Sequence, residues 1–258
     1  MYICELKNIS KRFHTINNET KAIEDLSFKV KKGEIVSIVG PSGSGKSTVL
    51  ALIAGLEKPS GGELIVNTDS IGFMFQKDQL YEWRNVYKNC LLGLEVKKMD
   101  SQENKEKVLG MLDRYGLTNF KNHYPSQLSG GMRQRAALVR TLAIEPDLLL
   151  LDEPFSALDY QTRLAIGDEV GTILRNEKIS TILVTHDIPE AVSISDRVIV
   201  FTERPAKIKK EYEIKFDECP GERTPMKCRN TLAFGEYFRN IWRDLDGKEK
   251  ETIETRYF

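Results

Sequence analysis

Apolar and polar residues alternate near the start of the chain. Leu26, Phe28 and Val30 are separated by polar residues, which is the pattern of an antiparallel strand with one solvated face. The next segment, Glu34–Val39, is almost wholly apolar, as expected for a strand that is covered on both faces. Similar buried strands are predicted at Leu148–Leu151, Thr181–Val184 and Val198–Phe201. Helical patterns separate these strands, which predicts an α/β domain with a parallel sheet.

The pattern becomes mostly helical between about residues 77 and 145. Asn104–Tyr115 and Met132–Glu145 each carry apolar side chains at helical spacing. We interpret residues 77–145 as a helical subdomain inserted into a sheet domain. The sheet domain then comprises residues 1–76 and 146–215.

Residues 216–258 are interpreted as a C-terminal tail. A strand is predicted at Tyr212–Phe216, just before a stretch that contains Pro and Gly. The last part of the tail has the pattern of an amphipathic helix. Its buried face is expected to contain Phe234, Phe238, Ile241, Trp242 and Leu245.

Composition narrows the possible functions of the 258 residues. The 38 basic residues balance the 38 acidic residues, so no overall field favours nucleic acid as a partner. No apolar run approaches the ~20 residues that span a bilayer, and the first residues do not resemble a signal peptide. Any membrane role is therefore expected to depend on a partner. The four cysteines are Cys4, Cys90, Cys219 and Cys228, and none of them forms a CxxC pair. We therefore expect them to be reduced thiols in a cytosolic protein.

A glycine-rich segment at residues 40–47 matches G-x4-G-K-[ST]. It lies between the predicted strand Glu34–Val39 and an apolar helix at Val49–Leu56, which is the context that this phosphate-binding motif requires. Backbone N–H groups would surround the phosphates, Lys46 would reach the terminal ones, and Ser47 would bind Mg²⁺. The predicted nucleotide-binding residues here are Gly40, Pro41, Ser42, Gly43, Ser44, Gly45, Lys46, Ser47 and Thr48. Kinases, GTPases and motor proteins share this motif.

Two further segments carry candidate chemistry. Asp152 and Glu153 end a buried strand, where one carboxylate can hold Mg²⁺ through water and its neighbour can polarise an attacking water. A helix cap is the alternative interpretation. Ser129, Gly130 and Gly131 open a predicted helix, where exposed N–H groups form another anion site. A simple N-cap with a flexible turn is the alternative there.

Two polar residues follow strands. Gln76 ends a strand predicted at Gly72–Gln76, and His186 follows the strand Thr181–Val184. Each of them alone would more often be a polar residue whose hydrogen bonds are satisfied at a strand end.

Together and in this order, these motifs resemble those of the ATP-binding-cassette (ABC) family over residues 1 to about 210. The resemblance implies an α/β fold of the P-loop NTPase class, in which a mixed sheet core carries an antiparallel β subdomain and an inserted helical subdomain. It also implies a dimer of two copies that enclose two ATP molecules. In that dimer Ser129 and Gly131 of one copy face the γ-phosphate that Lys46 of the other copy holds.

The resemblance assigns a role to each remaining residue. Asp152 assists Mg²⁺ together with Ser47, and Glu153 is the general base. Gln76 senses the metal and the attacking water, and His186 contacts the γ-phosphate. The residues implied at the nucleotide or at the boundary between copies are Gly130, Asp159 and Phe13.

Two positions depart from the commoner residues of the family. Phe13 is expected to stack on adenine where the family more often has Tyr, and ring stacking does not need the hydroxyl. A core position for Phe13 is the alternative. Met132 replaces the commoner Gln, and this change leaves the backbone donors of the Ser-Gly-Gly turn intact.

Residues 76–86 and 128–135 look like those of the nitrate/sulfonate/taurine group of bacterial importers, except for Tyr-Glu-Trp in place of Leu-Pro-Trp. In that group the ATPase is a separate polypeptide at the cytoplasmic face of the membrane. It docks under a permease, and an external solute-binding protein delivers the solute to that permease. We therefore expect an ATPase that energises import of a small anionic or nitrogen- or sulfur-containing solute. The alternatives are an exporter cassette and a soluble cassette that acts on ribosomes or DNA.

Trp83 lies in this segment, shortly after Gln76. We predict that it helps to form the groove that receives a permease helix, because large aromatic residues are enriched as anchors at protein interfaces. Packing inside the helical subdomain is the alternative.

Overall fold

The computed structural model describes residues 1–14, 18–217 and 223–246. Its strands are β1 (Tyr2–His14), β2 (Glu19–Lys31), β3 (Ile35–Val39), β4 (Gly61–Val66), β5 (Ile71–Met74), β6 (Leu148–Asp152), β7 (Ser180–Val184), β8 (Arg197–Phe201) and β9 (Ile208–Glu213). Its α-helices are α1 (Lys46–Ile53), α2 (Val86–Val96), α3 (Gln102–Arg114), α4 (Gly130–Leu142), α5 (Tyr160–Asn176), α6 (Ile188–Ile194), α7 (Pro225–Arg229) and α8 (Leu232–Asp246). Two short 3₁₀ turns are Thr118–Phe120 and Pro125–Gln127.

A six-stranded sheet in the order β5-β6-β7-β3-β8-β9 forms the centre of the fold. The first five of these strands are parallel, and β9 pairs antiparallel with β8. Every residue of β3, β6 and β7 is buried, which explains their nearly continuous apolar sequences. Because β5, β6, β7 and β3 run in parallel, the segments that follow them emerge at one edge of the sheet. The predicted fold class is confirmed.

A smaller antiparallel sheet in the order β2-β1-β4 contains the alternating segment. Leu26, Phe28 and Val30 of β2 are buried, while their neighbours are exposed or half-buried. They pack in the same apolar cluster as Val36 of β3 and Leu50 of α1. The predicted one-sided strand is therefore confirmed, and its apolar face covers the core sheet beside the glycine-rich loop.

Several predicted boundaries were wrong, among them those of the helix predicted at Met132–Glu145, which is α4, Gly130–Leu142. The strand predicted at Tyr212–Phe216 is β9, Ile208–Glu213, because its pairing with β8 runs from Phe201–Ile208 to Arg197–Glu213 and stops there. The strand predicted to reach Gln76 ends at Met74, where its pairing with β6 ends. The helix predicted to reach Leu56 ends at Ile53, because Gly55 adopts a φ of 73°, the left-handed conformation that commonly follows a helix end.

The C-terminal helix α8 is amphipathic, as predicted. Ile241 is fully buried, and Phe234, Phe238 and Leu245 are partly buried in the same cluster. Trp242 is 38% exposed, so its predicted burial was wrong. It lies one position beyond Ile241 at the rim of the apolar face, where it stacks on Phe238 with 6.0 Å between ring centroids.

Parts of the predicted tail, residues 218–222 and 247–258, lie outside the described residues, and so does Cys219. The other three cysteines, Cys4, Cys90 and Cys228, are buried and form no disulfide with one another. Within the described ranges, none of the helices has both the length and the apolar composition that crossing a bilayer requires.

Candidate functional site

The glycine-rich loop joins β3 to α1 and lies at the edge of the sheet where the parallel strands end. Gly43 and Gly45 have φ values of 74° and 108°, which side chains with a Cβ rarely adopt. A Cβ on Gly45 would also lie 2.9 Å from the Ala22 carbonyl oxygen of β2. Gly45 is the N-cap of α1, so backbone N–H groups of the first turn face the loop, as an anion site requires.

Lys46 closes this loop from inside. Its Nζ donates hydrogen bonds of 2.8 Å to the Gly40 and Pro41 carbonyl oxygens. The side chain is buried, and burial lowers the pKa of the ammonium group from its ordinary value, although the Glu153 and Asp152 carboxylates oppose this shift. A cation held in a ring of backbone groups is well placed to meet phosphate oxygens.

The residues predicted to hold Mg²⁺ also lie together. Burial raises the pKa of Asp152 above its ordinary value, and a hydrogen bond from the Ser47 hydroxyl opposes this. Among the described protein atoms, the buried Ser44 hydroxyl in the same loop has no hydrogen-bond partner. A hydroxyl beside a buried carboxylate is a donor set that suits Mg²⁺, which prefers oxygen ligands. These residues therefore fit a magnesium nucleotide.

Three predicted catalytic residues meet at the ends of three neighbouring strands. Gln76, beyond β5, donates a 3.0 Å hydrogen bond from Nε2 to Oε2 of Glu153, which follows β6. His186, beyond β7, places Nδ1 3.2 Å from Glu153 Oε1. The Glu153 side chain is mostly buried, so an amide and an imidazole hold the carboxylate in a defined position.

The backbone of Glu153 is also unusual. Its φ of 48° is positive, which is uncommon for a residue other than glycine and costs conformational energy. The surrounding structure holds it there: its N–H donates to the Val184 carbonyl at 2.8 Å, and its carbonyl accepts from Ser156 Oγ at 3.0 Å. Such strained residues cluster at functional sites.

The Ser-Gly-Gly turn is placed differently. Ser129 caps α4 by accepting a 3.3 Å hydrogen bond from the Met132 N–H. A Cβ on Gly131 would lie 2.9 Å from Leu158 Cδ2, so the turn packs closely against the segment after β6. In the part of the chain that the structure describes, no hydrogen bond joins this turn to the glycine-rich loop.

Comparison with known proteins assigns the family. The model of the ABC transporter family matches residues 23–156. The ABC transporter ATP-binding protein YtlC of Bacillus subtilis is 39% identical over 97% of this chain and 98% of the relative. The nitrate import ATP-binding protein NrtD of Synechocystis is 36% identical over 97% of each chain. This chain belongs to the ABC transporter family.

A solved structure supports the same conclusion. The dimeric post-hydrolysis state of the ATP-binding cassette MJ0796, bound to ADP and phosphate, matches with a TM-score of 0.75 and 34% identity. The match covers 83% of this chain and 99% of that one. This ABC cassette is therefore an ATPase that binds ATP, and its predicted resemblance to the nitrate importer group is confirmed.

One residue of the ABC site was not predicted from the sequence. Gln134 of α4 is 4% exposed, and its Nε2 donates a 3.2 Å hydrogen bond to the Glu153 carbonyl. Its Oε1 accepts a 3.1 Å hydrogen bond from the Ala157 N–H. Gln134 therefore connects α4 to both ends of the turn that runs from Glu153 to Ala157. A single Gln on the apolar face of the predicted helix was the available signal.

Two other predicted positions of the cassette lie on its surface. Phe13, near the end of β1, is 37% exposed, which does not agree with a core position. The Lys11 Nζ lies 4.8 Å from the centroid of its ring. Asp159 caps α5 by accepting a 3.0 Å hydrogen bond from the Thr162 N–H, and the hydrogen bonds from Thr162 lower the pKa of its exposed carboxyl.

Trp83 is 74% exposed, so it does not pack inside the helical subdomain. Its indole stacks on Tyr81, with 4.6 Å between centroids and 22° between ring planes. The buried Asn89 side chain fixes this loop, because its Oδ1 accepts from the Tyr81 N–H and its Nδ2 donates to the Arg84 carbonyl. The two aromatic rings are thus presented to solvent from a well-anchored loop.

Proposed function

We propose that this chain is the ATP-hydrolysing subunit of a membrane importer and that it works as a dimer with two ATP molecules between its copies. The observation that carries the proposal is the position of Glu153, which Gln76 and His186 hold beside the loop that contains Lys46. A carboxylate oriented by two polar groups near a phosphate site is suited to activate water for phosphoryl transfer.

In this proposal each residue has a defined task. Lys46 and the backbone N–H groups of residues 40–48, apart from Pro41, bind the ATP phosphates. Glu153 accepts the proton of the attacking water, while Gln76 and His186 orient the water and the γ-phosphate. Magnesium, held by Ser47, Asp152 and Gln76, would neutralise phosphate charge when bound.

The remaining residues are proposed to act at the boundary between the two copies or at the adenine ring of ATP. Ser129, Gly130 and Gly131 of one copy would complete the phosphate site of the other, with Asp159 at the boundary. Phe13 would stack on adenine. Residues 77–145 would form the helical subdomain that carries the Ser-Gly-Gly turn. The core would comprise residues 1–76 and 146–215, and the tail would comprise residues 216–258.

The importer assignment rests on the relatives and on the exposed loop at Trp83. NrtD is named as a nitrate import protein, so we propose a small anionic or nitrogen- or sulfur-containing solute. A membrane permease would dock on Trp83 and Tyr81 at the cytoplasmic face, and an extracytoplasmic binding protein would deliver the solute. Rigid exposed aromatic residues are typical anchors of such contacts.

Trp83→Ala tests this assignment. We expect the isolated variant to keep its melting temperature and basal ATPase activity, because an exposed ring contributes little to folding. Its co-purification with permease from solubilised membranes should fall by about tenfold, as hot-spot truncations commonly do. Val96→Ala is a matched control, because Val96 is 75% exposed at the end of α2. Unchanged permease binding in Trp83→Ala would contradict the docking role of Trp83. Co-purification of the wild type with nucleic acid instead of a permease would contradict the importer assignment.

A further inference from the structure

Glu190 is a buried acid for which the site described above gives no role. It lies in α6, four residues after His186, and only 6% of its surface is exposed. Buried carboxyl groups are rare in proteins unless they are paired or serve a function. Its contacts therefore indicate what it does.

Three hydrogen bonds connect Glu190 to the residues on both sides of His186. The Thr185 hydroxyl donates to Glu190 Oε2 at 3.1 Å. The Asp187 N–H donates to the Thr185 hydroxyl at 3.0 Å. The Glu190 N–H in turn donates to Asp187 Oδ1 at 2.9 Å. The loop that carries His186 is thus closed on itself through one buried carboxyl group.

A small cavity of about 10 Å³ lies between this loop and Glu153. Its lining includes Glu153, His186, Arg163 and Glu190. Glu190 Oε1 and Arg163 Nε are both buried and have no hydrogen-bond partner among the described protein atoms. On this measure about 10–15 Å³ holds one water molecule, and two polar atoms are available to bind it.

We propose that Glu190 is a positioning residue for His186 and that it acts through Thr185, Asp187 and one water molecule bound between Glu190 and Arg163. The inference rests on the proposed contact of His186 with the γ-phosphate. Glu190 itself touches neither substrate nor the reacting atoms. Its carboxyl group holds the loop so that the imidazole stays beside Glu153.

The charges around Glu190 favour a neutral side chain. Burial raises its pKa to about 8, and Asp187 adds to this shift, while the Thr185 hydrogen bond, Arg163 and Arg229 oppose it. His186 and Glu153 line the same cavity as Glu190. The core strands and α8 contribute apolar residues to the cluster that contains Ile188, Ala191 and Val192 of α6, among them Val39, Val198 and Ile241.

A neutral buried acid reduces stability at neutral pH. In the unfolded chain Glu190 has its ordinary pKa of 4.5, so above that pH the unfolded state binds fewer protons than the folded state. The free energy of unfolding therefore decreases as the pH rises from about 4.5 to about 8. Gln has nearly the same shape and carries no such penalty, so Glu190→Gln separates the effect of the ionisable group on stability from the positioning role of the side chain.

The first experiment measures melting temperature against pH for the wild type and Glu190→Gln without nucleotide. Near pH 4.5 the two proteins should melt at similar temperatures. Towards pH 8 the variant should become the more stable by a growing margin, because only the wild type has the carboxyl group. Parallel curves over this range would overturn the inference and would leave the proposed function untouched, since no nucleotide is involved.

The second experiment compares ATPase kinetics of Glu190→Ala, Glu190→Gln and Val192→Ala. Glu190→Ala should lower kcat by about tenfold or more and leave KM for ATP within about twofold, whereas Glu190→Gln should keep at least about half of kcat. Val192 is a fully buried apolar residue of α6, so Val192→Ala should lower the melting temperature and leave kcat of the folded protein unchanged.

Three results would overturn the inference. One is a wild-type kcat in Glu190→Ala, and another is an equal loss of kcat in Val192→Ala. The third is a Glu190→Gln variant as inactive as Glu190→Ala, because this would require an ionisable group rather than a positioning one. ATPase activity that survives Lys46→Ala in an otherwise unchanged protein would instead contradict the proposed function.

Discussion

The residues at the strand ends and the Ser-Gly-Gly turn at residues 129–131, which we call the signature turn, differ in how complete they are within one copy of the chain. At the strand ends, Glu153 already has hydrogen-bonding contacts from Gln76 and His186, and Lys46 is held by the loop it closes. The signature turn is capped by Ser129 and packed on Leu158. In the described part of the chain it has no hydrogen bond to the glycine-rich loop. One region is preorganised by its own chain, and we propose that the other depends on a second copy to act on phosphate.

The difference separates two kinds of variant. Changes at the strand ends should impair binding or chemistry in each copy by itself. Changes at the signature turn should leave ATP binding to a single copy intact and impair only the assembled dimer.

Lys46→Ala should reduce ATP hydrolysis by about two to three orders of magnitude, because the phosphates lose a preorganised cation in a partly desolvated site. Steady-state ATPase assays measure the change. The melting temperature of the nucleotide-free protein serves as a control for folding. Near-normal turnover would show that the loop is not the phosphate site.

The strand-end half of the site was largely predictable from the sequence. Glycine spacing, buried strands and polar residues at strand ends are local patterns, and parallel strands bring their ends together without further information. Gln134 was not predictable, because its partners, Glu153 and Ala157, depend on where α4 packs. Glu190 was missed for a similar reason, since a Glu in a short helix usually faces solvent. The boundary of β9 depends on its pairing with β8 rather than on its own sequence.

Gln134→Leu removes the connection between α4 and the turn that runs from Glu153 to Ala157. Leu fills a similar volume but leaves the Glu153 carbonyl and the Ala157 N–H without this partner, so kcat should fall by about tenfold while KM for ATP changes little. Gln102→Leu is a control in α3, where the Gln side chain is exposed and donates a hydrogen bond to Glu106. An equal loss of kcat in both variants would show that Gln134 has no specific role in the site.

Phe13→Ala should weaken ATP binding by roughly 1–2 kcal/mol, whereas Phe13→Tyr should be nearly neutral because stacking does not need the hydroxyl. Titration calorimetry with a non-hydrolysed ATP analogue measures both variants. The apo melting temperature of Phe13→Ala should stay close to that of the wild type, since the ring is 37% exposed. A loss of apo stability with unchanged affinity would make Phe13 a structural residue.

The central claim is that Ser129 completes the phosphate site of a second copy, and Glu153→Gln makes it measurable. This variant should bind ATP, hydrolyse it at least about two orders of magnitude more slowly, and accumulate as an ATP-dependent dimer. Ser129→Asp can then be added, because Asp caps a helix as well as Ser and places a negative charge against the γ-phosphate. Ser101→Asp is the matched control, since Ser101 caps α3 in the same way.

Size-exclusion chromatography with ATP and Mg²⁺, combined with a nucleotide-binding assay, decides the question. If two copies share the site, Glu153→Gln and Glu153→Gln/Ser101→Asp should elute as dimers. Glu153→Gln/Ser129→Asp should elute as a monomer that still binds ATP. A dimer of Glu153→Gln/Ser129→Asp as stable as that of Glu153→Gln, or a Glu153→Gln protein that stays monomeric with ATP, would contradict the shared site.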